Sequence, residues 1–194
     1  MELFKTIKIK SQVWMVENFN VANFRNGDAI PEAKTADEWK AAGDLKKPTW
    51  CYYDNDIANG IKYGKLYNWY AVNDPRGLAP LNWHIPSDIE WAKLIDAVGG
   101  RDIAGNKLKE AGTTHWESSN QSVTNTLGFT ALPGGYRSYK ENKFESIGLV
   151  GVWWTSTQYL PDVAWNRDMM SFLPTVGRSN YLMKHGLSVR CIVN

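Results

Sequence analysis

Residues 6–16 read TIKIKSQVWMV, an alternation of polar and β-favouring apolar positions that predicts a strand or hairpin. Asn26-Gly27-Asp28 then marks a turn. Thr35 and Glu38 have capping-box spacing, so a short helix opens there and should stop near Gly43. Pro48 to Gly64 is turn-rich. In KLYNWYAVND (65–74), Leu66, Trp69, Tyr70 and Asn73 fall at helical spacing, and Pro75 follows the end. The clearest local signal is Ser87-Asp88-Ile89-Glu90. Ser87 can cap a new helix, Glu90 can reach back to it, and both acids suit the positive end of the helix dipole. Trp91, Leu94, Ile95 and Val98 then form an inward stripe, and Gly99-Gly100 ends it. IAGNKLKEAG (103–112) predicts another short helix. From residue 116 on, GFTALPGGYR, GVWWTST, AWNRDMMSF and LSVRCIV read as strands of a small antiparallel sheet with long connections. Strand, helices, then strands make an α+β plan in one domain spanning 1–194.

Composition sharpens this picture. Among 194 residues are 10 Trp and 9 Tyr but only 6 Phe, which suits a loop-rich fold whose rings carry a polar edge. Charge is nearly balanced, 22 basic against 20 acidic residues, so nothing points to nucleic acid. No apolar run is long enough for membrane insertion. Met1 to Lys10 shows no apolar signal region, so the chain either acts without export or has lost a leader. Cys51 and Cys191 admit two readings, a disulfide closing one large loop or two buried thiols.

The stretch YLPDVAWNRDMMSFLPTVGRSNYLMKHG (159–186) fits neither core nor ordinary loop. Its apolar residues neither alternate nor form a block, and Pro161 and Pro174 favour loop or edge positions. It is therefore read as largely exposed, a contiguous apolar and aromatic patch of the kind that marks a binding surface. The alternative is a loop folded over the sheet with its own small core. The candidate contacts are Tyr159, Leu160, Asp162, Arg167, Met170, Phe172, Leu173, Thr175, Arg178, Asn180, Tyr181, Met183 and His185. Trp153, Trp154, Trp165 and a strand from Ser188 to Val193 would hold the frame behind them.

No catalytic constellation is visible. His84, His115 and His185 pair by spacing with no nucleophile motif. Asp54-Asn55-Asp56 offers clustered oxygens that suit a structural calcium ion at most, and more simply caps a turn; no other cofactor is expected.

QVWMVENFN (12–20), YGKLYNWYAVNDPRGLAP (63–80), WHIPSDIEW (83–91), AGNKLKE (104–110), GFTALPGGYR (128–137), VWWTST (152–157) and GLSVRCIV (186–193) together resemble the Fibrobacter succinogenes major paralogous domain. The resemblance implies a C-type-lectin-like fold, and WHIPSDIEW is similar to its formylglycine-generating-enzyme branch. That activity would need a reactive cysteine pair near the C-terminus, where Cys191 stands alone. The Glu-Pro-Asn or Gln-Pro-Asp triplet of calcium-dependent lectins is absent. The tail from Trp153 to Cys191 also resembles the variable region of target-binding proteins diversified by retroelements. This implies a non-catalytic protein that binds a protein or glycan on a target cell, displayed on a cell surface or phage particle. The alternative is an exported paralogous-family domain with a structural or adhesion role.

Overall fold

The computed structural model describes residues 4–117 and 122–194. The chain is a mixed α+β structure of three small sheets and five short helices among the described residues. The expected hairpin forms from β1 (Thr6–Ile9) and β2 (Gln12–Met15), paired from Thr6↔Met15 to Ile9↔Gln12. Helix α1 (Ala36–Asp44) starts at the Thr35–Glu38 capping box. Strand β3 (Trp50–Cys51) leads through a tight turn to α2 (Ile57–Tyr63), which is capped by the Asp56 side chain. β4 (Leu66–Tyr67) pairs with β3 and runs straight into α3 (Trp69–Val72). β5 (Trp83–His84) precedes α4 (Asp88–Ala97), where the Ser87–Glu90 capping box is complete. Trp91, Leu94, Ile95 and Val98 are all buried, as their spacing requires. α5 (Arg101–Leu108) follows.

The C-terminal half builds a five-stranded sheet. Its strands are β6 (Gly134–Arg137), β7 (Phe144–Ile147), β8 (Val150–Leu160), β9 (Val163–Met170) and β10 (Gly177–Leu182), in the order β10-β9-β8-β6-β7. The last strand, β11 (Ile192–Val193), returns to the first sheet between β2 and β5.

Four expectations need correction. Within Pro48 to Gly64, read as turn-rich, Ile57–Tyr63 forms helix α2. Leu66 and Tyr67 are strand, and the helix after them is a single turn. Asn68 decides this, because its carboxamide oxygen accepts from both Thr49 N and Ala71 N, capping a helix that starts only at Trp69. The 187–193 segment pairs as a ladder only at its end. Leu187 bonds Tyr67, Ser188 bonds Val152 and Trp154, Val189 O accepts from Phe19 N, and Cys191 O accepts from Met15 N. One buried extended segment thus ties the sheets together. Finally, β10 is a regular strand inside the stretch read as irregular; Pro161 and Pro174 lie in the connections on either side of β9.

Among the described residues five Lys and Arg side chains are buried almost completely; Arg167 pairs with a carboxylate, and the other four are Lys65, Lys109, Arg137 and Arg190. Each of these four lies over an aromatic ring and donates to oxygens that carry no full charge. Lys65 sits 4.3 Å from the Trp50 ring centroid and reaches Asn20 O, Asn20 Oδ1 and Tyr52 Oη. Arg137 lies 4.8 Å from both Trp39 and Phe144 and donates to Ala33 O and Thr35 O. Arg190 lies 4.3 Å from Phe129 and donates to Phe129 O, Thr130 O and Asn18 Oδ1. A desolvated cation–π contact contributes on the order of 2 kcal/mol, and a hydrogen bond to a charged group about 1.5–3 kcal/mol. Burial alone pulls the Arg190 guanidinium down to about 9. The tryptophans pin loops by a second route, since indole N–H groups donate to main-chain oxygens from Trp39 (Lys184 O), Trp50 (Ile30 O), Trp69 (Thr155 O), Trp116 (Ala131 O) and Trp154 (Tyr67 O). Cys51 and Cys191 are free buried thiols in different core clusters.

Arg190→Ala should therefore cost about 2–5 kcal/mol, the range of large-to-small core truncations, with the Phe129 and Thr130 carbonyls also losing their donor while Asn18 Oδ1 keeps Trp153. Urea unfolding of the variant beside the parent measures it, and an unchanged midpoint would contradict the role given to Arg190.

Candidate functional site

The β8–β9 hairpin and β10 carry most of the candidate residues. In the register, Arg178 pairs with Arg167, Asn180 with Trp165, Tyr181 with Ala164 and Leu182 with Val163. Two arginines directly opposite each other repel unless a carboxylate lies between them. Asp88, in the first turn of α4, supplies it. Arg167 donates to Asp88 O at 3.0 Å and to Asp88 Oδ1 at 2.7 Å, while Arg178 approaches Asp88 Oδ2 through Nε at 3.0 Å and NH2 at 2.9 Å. Helix α4 reaches this position because β8 shifts register between Trp154 and Gln158. At the irregularity, Asp88 N donates to Thr157 Oγ1 and Ser156 N to Pro86 O. Held from below, the Arg178 guanidinium lies flat, 3.5 Å from the Trp165 ring centroid. Tyr159 packs on the same indole at 4.4 Å. The result is a fixed Tyr–Trp–Arg stack on the hairpin. Tyr159 is 48% exposed, Leu160 beside it is 52% exposed, and Arg178 and Asn180 are exposed. Asp162 in the turn is exposed and paired with Lys46 at 2.7 Å.

A second group lies at the other end of β9, roughly 25 Å away by the rise of an eight-residue strand. Met170 is half-buried, Phe172 is 60% exposed and Leu173 is 38% exposed. The backbone beneath them is clamped. Lys109 Nζ donates to Met170 O, Ser171 O and Leu173 O at 3.0, 3.3 and 3.0 Å, with the Trp116 ring beside it. Burial pulls the Lys109 ammonium down to about 8. Asn106 N donates to Pro174 O, and Val176 N to Arg101 O. The loop lies so close to α5 that a Cβ on Gly105 would stand 2.5 Å from Thr175 O. Thr175 itself is half-buried.

The contiguous patch expected from the sequence is thus divided in two, and three of its members face inward. Met183 is buried against the core that holds Trp69 and Trp154. Arg167 is buried beneath the stack, where desolvation lowers its pKa despite Asp88. His185 is buried; its Nδ1 accepts from Tyr139 N at 3.3 Å, and its ring packs against Tyr181 and Tyr136. Tyr181 is half-buried. Trp153 and Trp154 hold the frame as expected, both fully buried. Trp165, assigned to the frame by sequence, is half-buried and belongs to the exposed stack. Asp88, Lys109, Tyr136 and Glu145 escaped the sequence reading. Their only local signals were helix capping for Asp88 and an ordinary helix end for Lys109.

The histidines have structural partners. His84 lies 2.8 Å from both Glu90 Oε1 and Asn194 Oδ1, and His115 lies 2.8 Å from Glu110 Oε2. Burial pushes the Cys51 thiol up to about 12 and raises Cys191 as well. Asp56, read as part of a turn cap, caps helix α2 through Ala58 N. Among the described residues no three His, Cys, Asp or Glu side chains gather as metal ligands, and no helix is long and apolar enough to cross a membrane.

Fold and surface together define an α+β protein with an exposed aromatic and arginine stack on one hairpin over buried tryptophans. A family model described as the Fibrobacter succinogenes major domain matches residues 7–193, and the chain belongs to that family. No curated protein and no solved structure matches it.

Burial holds His185 near 4, against an ordinary 6.5. The unfolded chain therefore binds that proton more tightly, so the contribution of neutral His185 to stability is complete above about pH 6.5 and is lost as pH falls towards 4. Urea midpoints taken across this window should fall with pH, and His185→Gln should flatten the slope. Identical slopes in the two proteins would refute the assignment.

Proposed function

We propose that the protein is a non-catalytic binding module that engages a protein or glycan target through the hairpin end of its C-terminal sheet. The observation that carries this reading is the Tyr159–Trp165–Arg178 stack. Large aromatic and cationic groups are held out to water in one geometry by a buried carboxylate, so little side-chain entropy remains to be lost when a partner docks. Tyr, Trp and Arg are also the types that dominate binding hot spots. The sequence resemblance to a C-type-lectin-like fold and to retroelement-diversified variable proteins supports the same reading. In such a protein the outward side chains of β8–β10 vary while the Trp153, Trp154 and Arg190 supports stay constant. That resemblance also supports display on a cell surface or phage particle. A structural or adhesion role without a diversified site is the competing account, favoured by the family alone.

The labelled protein should stain at least one of a panel of bacterial cell surfaces. Tyr159→Ala with Leu160→Ala should reduce that staining at least tenfold while the unfolding midpoint stays close to the parent, as surface changes do. Phe172→Ala with Leu173→Ala, at the far end of β9, should keep it. Equal staining by parent and hairpin variant would overturn the proposal. A reverse-transcriptase gene beside an adenine-bearing copy of the 153–191 coding region would separate the diversified reading from the structural one.

A further inference from the structure

β6–β7 and β10 lie on opposite edges of the five-stranded sheet, yet their side chains meet. β6 touches β8 only at Gly135↔Gly151 and then diverges, and Arg137 exchanges both backbone hydrogen bonds with Gly186. The divergence opens a groove of 530 Å³ between the β6–β7 hairpin and β10. Its aromatic wall is Tyr136, Tyr181 and His185, with ring centroids 5.1 to 6.4 Å apart and mutually tilted. Tyr136 Oη donates to Glu145 Oε2 at 2.7 Å and so fixes that carboxylate in the groove. Because His185 Nδ1 accepts from Tyr139 N, the ring is neutral. Asn180, Ser138, Lys140, Glu141, Val163 and Leu182 complete the lining.

Each feature narrows the ligand. The three rings touch one another, so they form a single wall and leave no cage for an ammonium group. Lys140 faces two carboxylates in the lining, Glu141 and Glu145, which disfavours an anionic ligand. Polar groups of both kinds, donors and acceptors, surround the wall, which disfavours a purely apolar segment. An uncharged molecule with an apolar C–H face and several hydroxyls satisfies all three conditions. We propose that this groove binds a neutral carbohydrate, its C–H face against Tyr181 and Tyr136 and its hydroxyls on Glu145 and Asn180. The assignment rests on the binding reading and names a ligand class for this part of the same end of the sheet.

The test is saturation-transfer NMR on the full chain with methyl glycosides of glucose, galactose, mannose and N-acetylglucosamine, followed by an array of neutral oligosaccharides. At least one sugar should receive saturation on its ring protons. Tyr181→Ala should weaken it at least tenfold, Glu145→Gln should weaken it severalfold, and Tyr181→Phe, which keeps the ring, should retain most of it. The Tyr159→Ala, Leu160→Ala variant should bind the sugar normally. Failure of every sugar to bind would overturn the groove while leaving cell staining by the hairpin stack to stand or fall separately. Sugar binding that survives Tyr181→Ala, or that disappears only with Tyr159 and Leu160, would also overturn it. So would selective binding of a lysine-rich peptide at Tyr181 in place of every sugar.

Discussion

The fold depends on cations taken out of water and seated between aromatic rings and uncharged oxygens. A lysine or arginine in an apolar interior is expensive unless nearly every donor finds an acceptor. Lys65, Lys109, Arg137 and Arg190 meet this requirement in large part with main-chain carbonyls, Nε of Arg137 and of Arg190 excepted, and the π faces of Trp50, Trp116, Trp39 and Phe129 supply further attraction. Carbonyls in irregular segments are the groups a loop-rich protein has most trouble satisfying. One long cation can serve several of them at once, and Lys109 serves three. Much of the tryptophan serves the same need, because Trp39, Trp50 and Trp116 each cover a cation and donate to a main-chain oxygen, and Trp69 and Trp154 donate to main-chain oxygens.

That arrangement explains how short elements can carry a stiff surface. Most of the strands are two to four residues long and could not hold their register alone. They are held because the 187–193 segment bonds β2, β4, β5 and β8 in passing, with Arg190 anchored at its centre. The outward groups inherit that stiffness. Arg178 is flat on Trp165 because Asp88 holds it, and Asp88 is in place because Ser87 and Glu90 start α4 there. Phe172 and Leu173 stand in water above a backbone that Lys109 and Gly105 fix against α5.

Local signals in the sequence were legible where the physics is local. Both capping boxes involve residues three apart, and both form. The stripe Trp91, Leu94, Ile95, Val98 depends only on the helical repeat. The β1–β2 hairpin depends only on alternation. The candidate surface was legible in part. Tyr159, Leu160, Phe172, Leu173, Arg178 and Asn180 do face water, because prolines and charges broke every apolar repeat that would have buried them. Met183, Arg167 and His185 face inward for reasons that lie elsewhere in the chain: the Trp69 pocket, Asp88 on α4, and Tyr136 on β6.

By itself the sequence determined the α+β plan, the starts of α1 and α4, the inward stripe and the family, since these depend on neighbours within a few residues or on blocks kept in order. Tertiary structure alone decided which cations are buried and which aromatic rings cover them. It also divided the tail into a hairpin stack and a clamped loop, and it brought Tyr136 against Tyr181 across the sheet. Those contacts join residues tens of positions apart, and a linear pattern records no distance between them. Their energies come from desolvation and ring geometry, which exist only after the chain has closed.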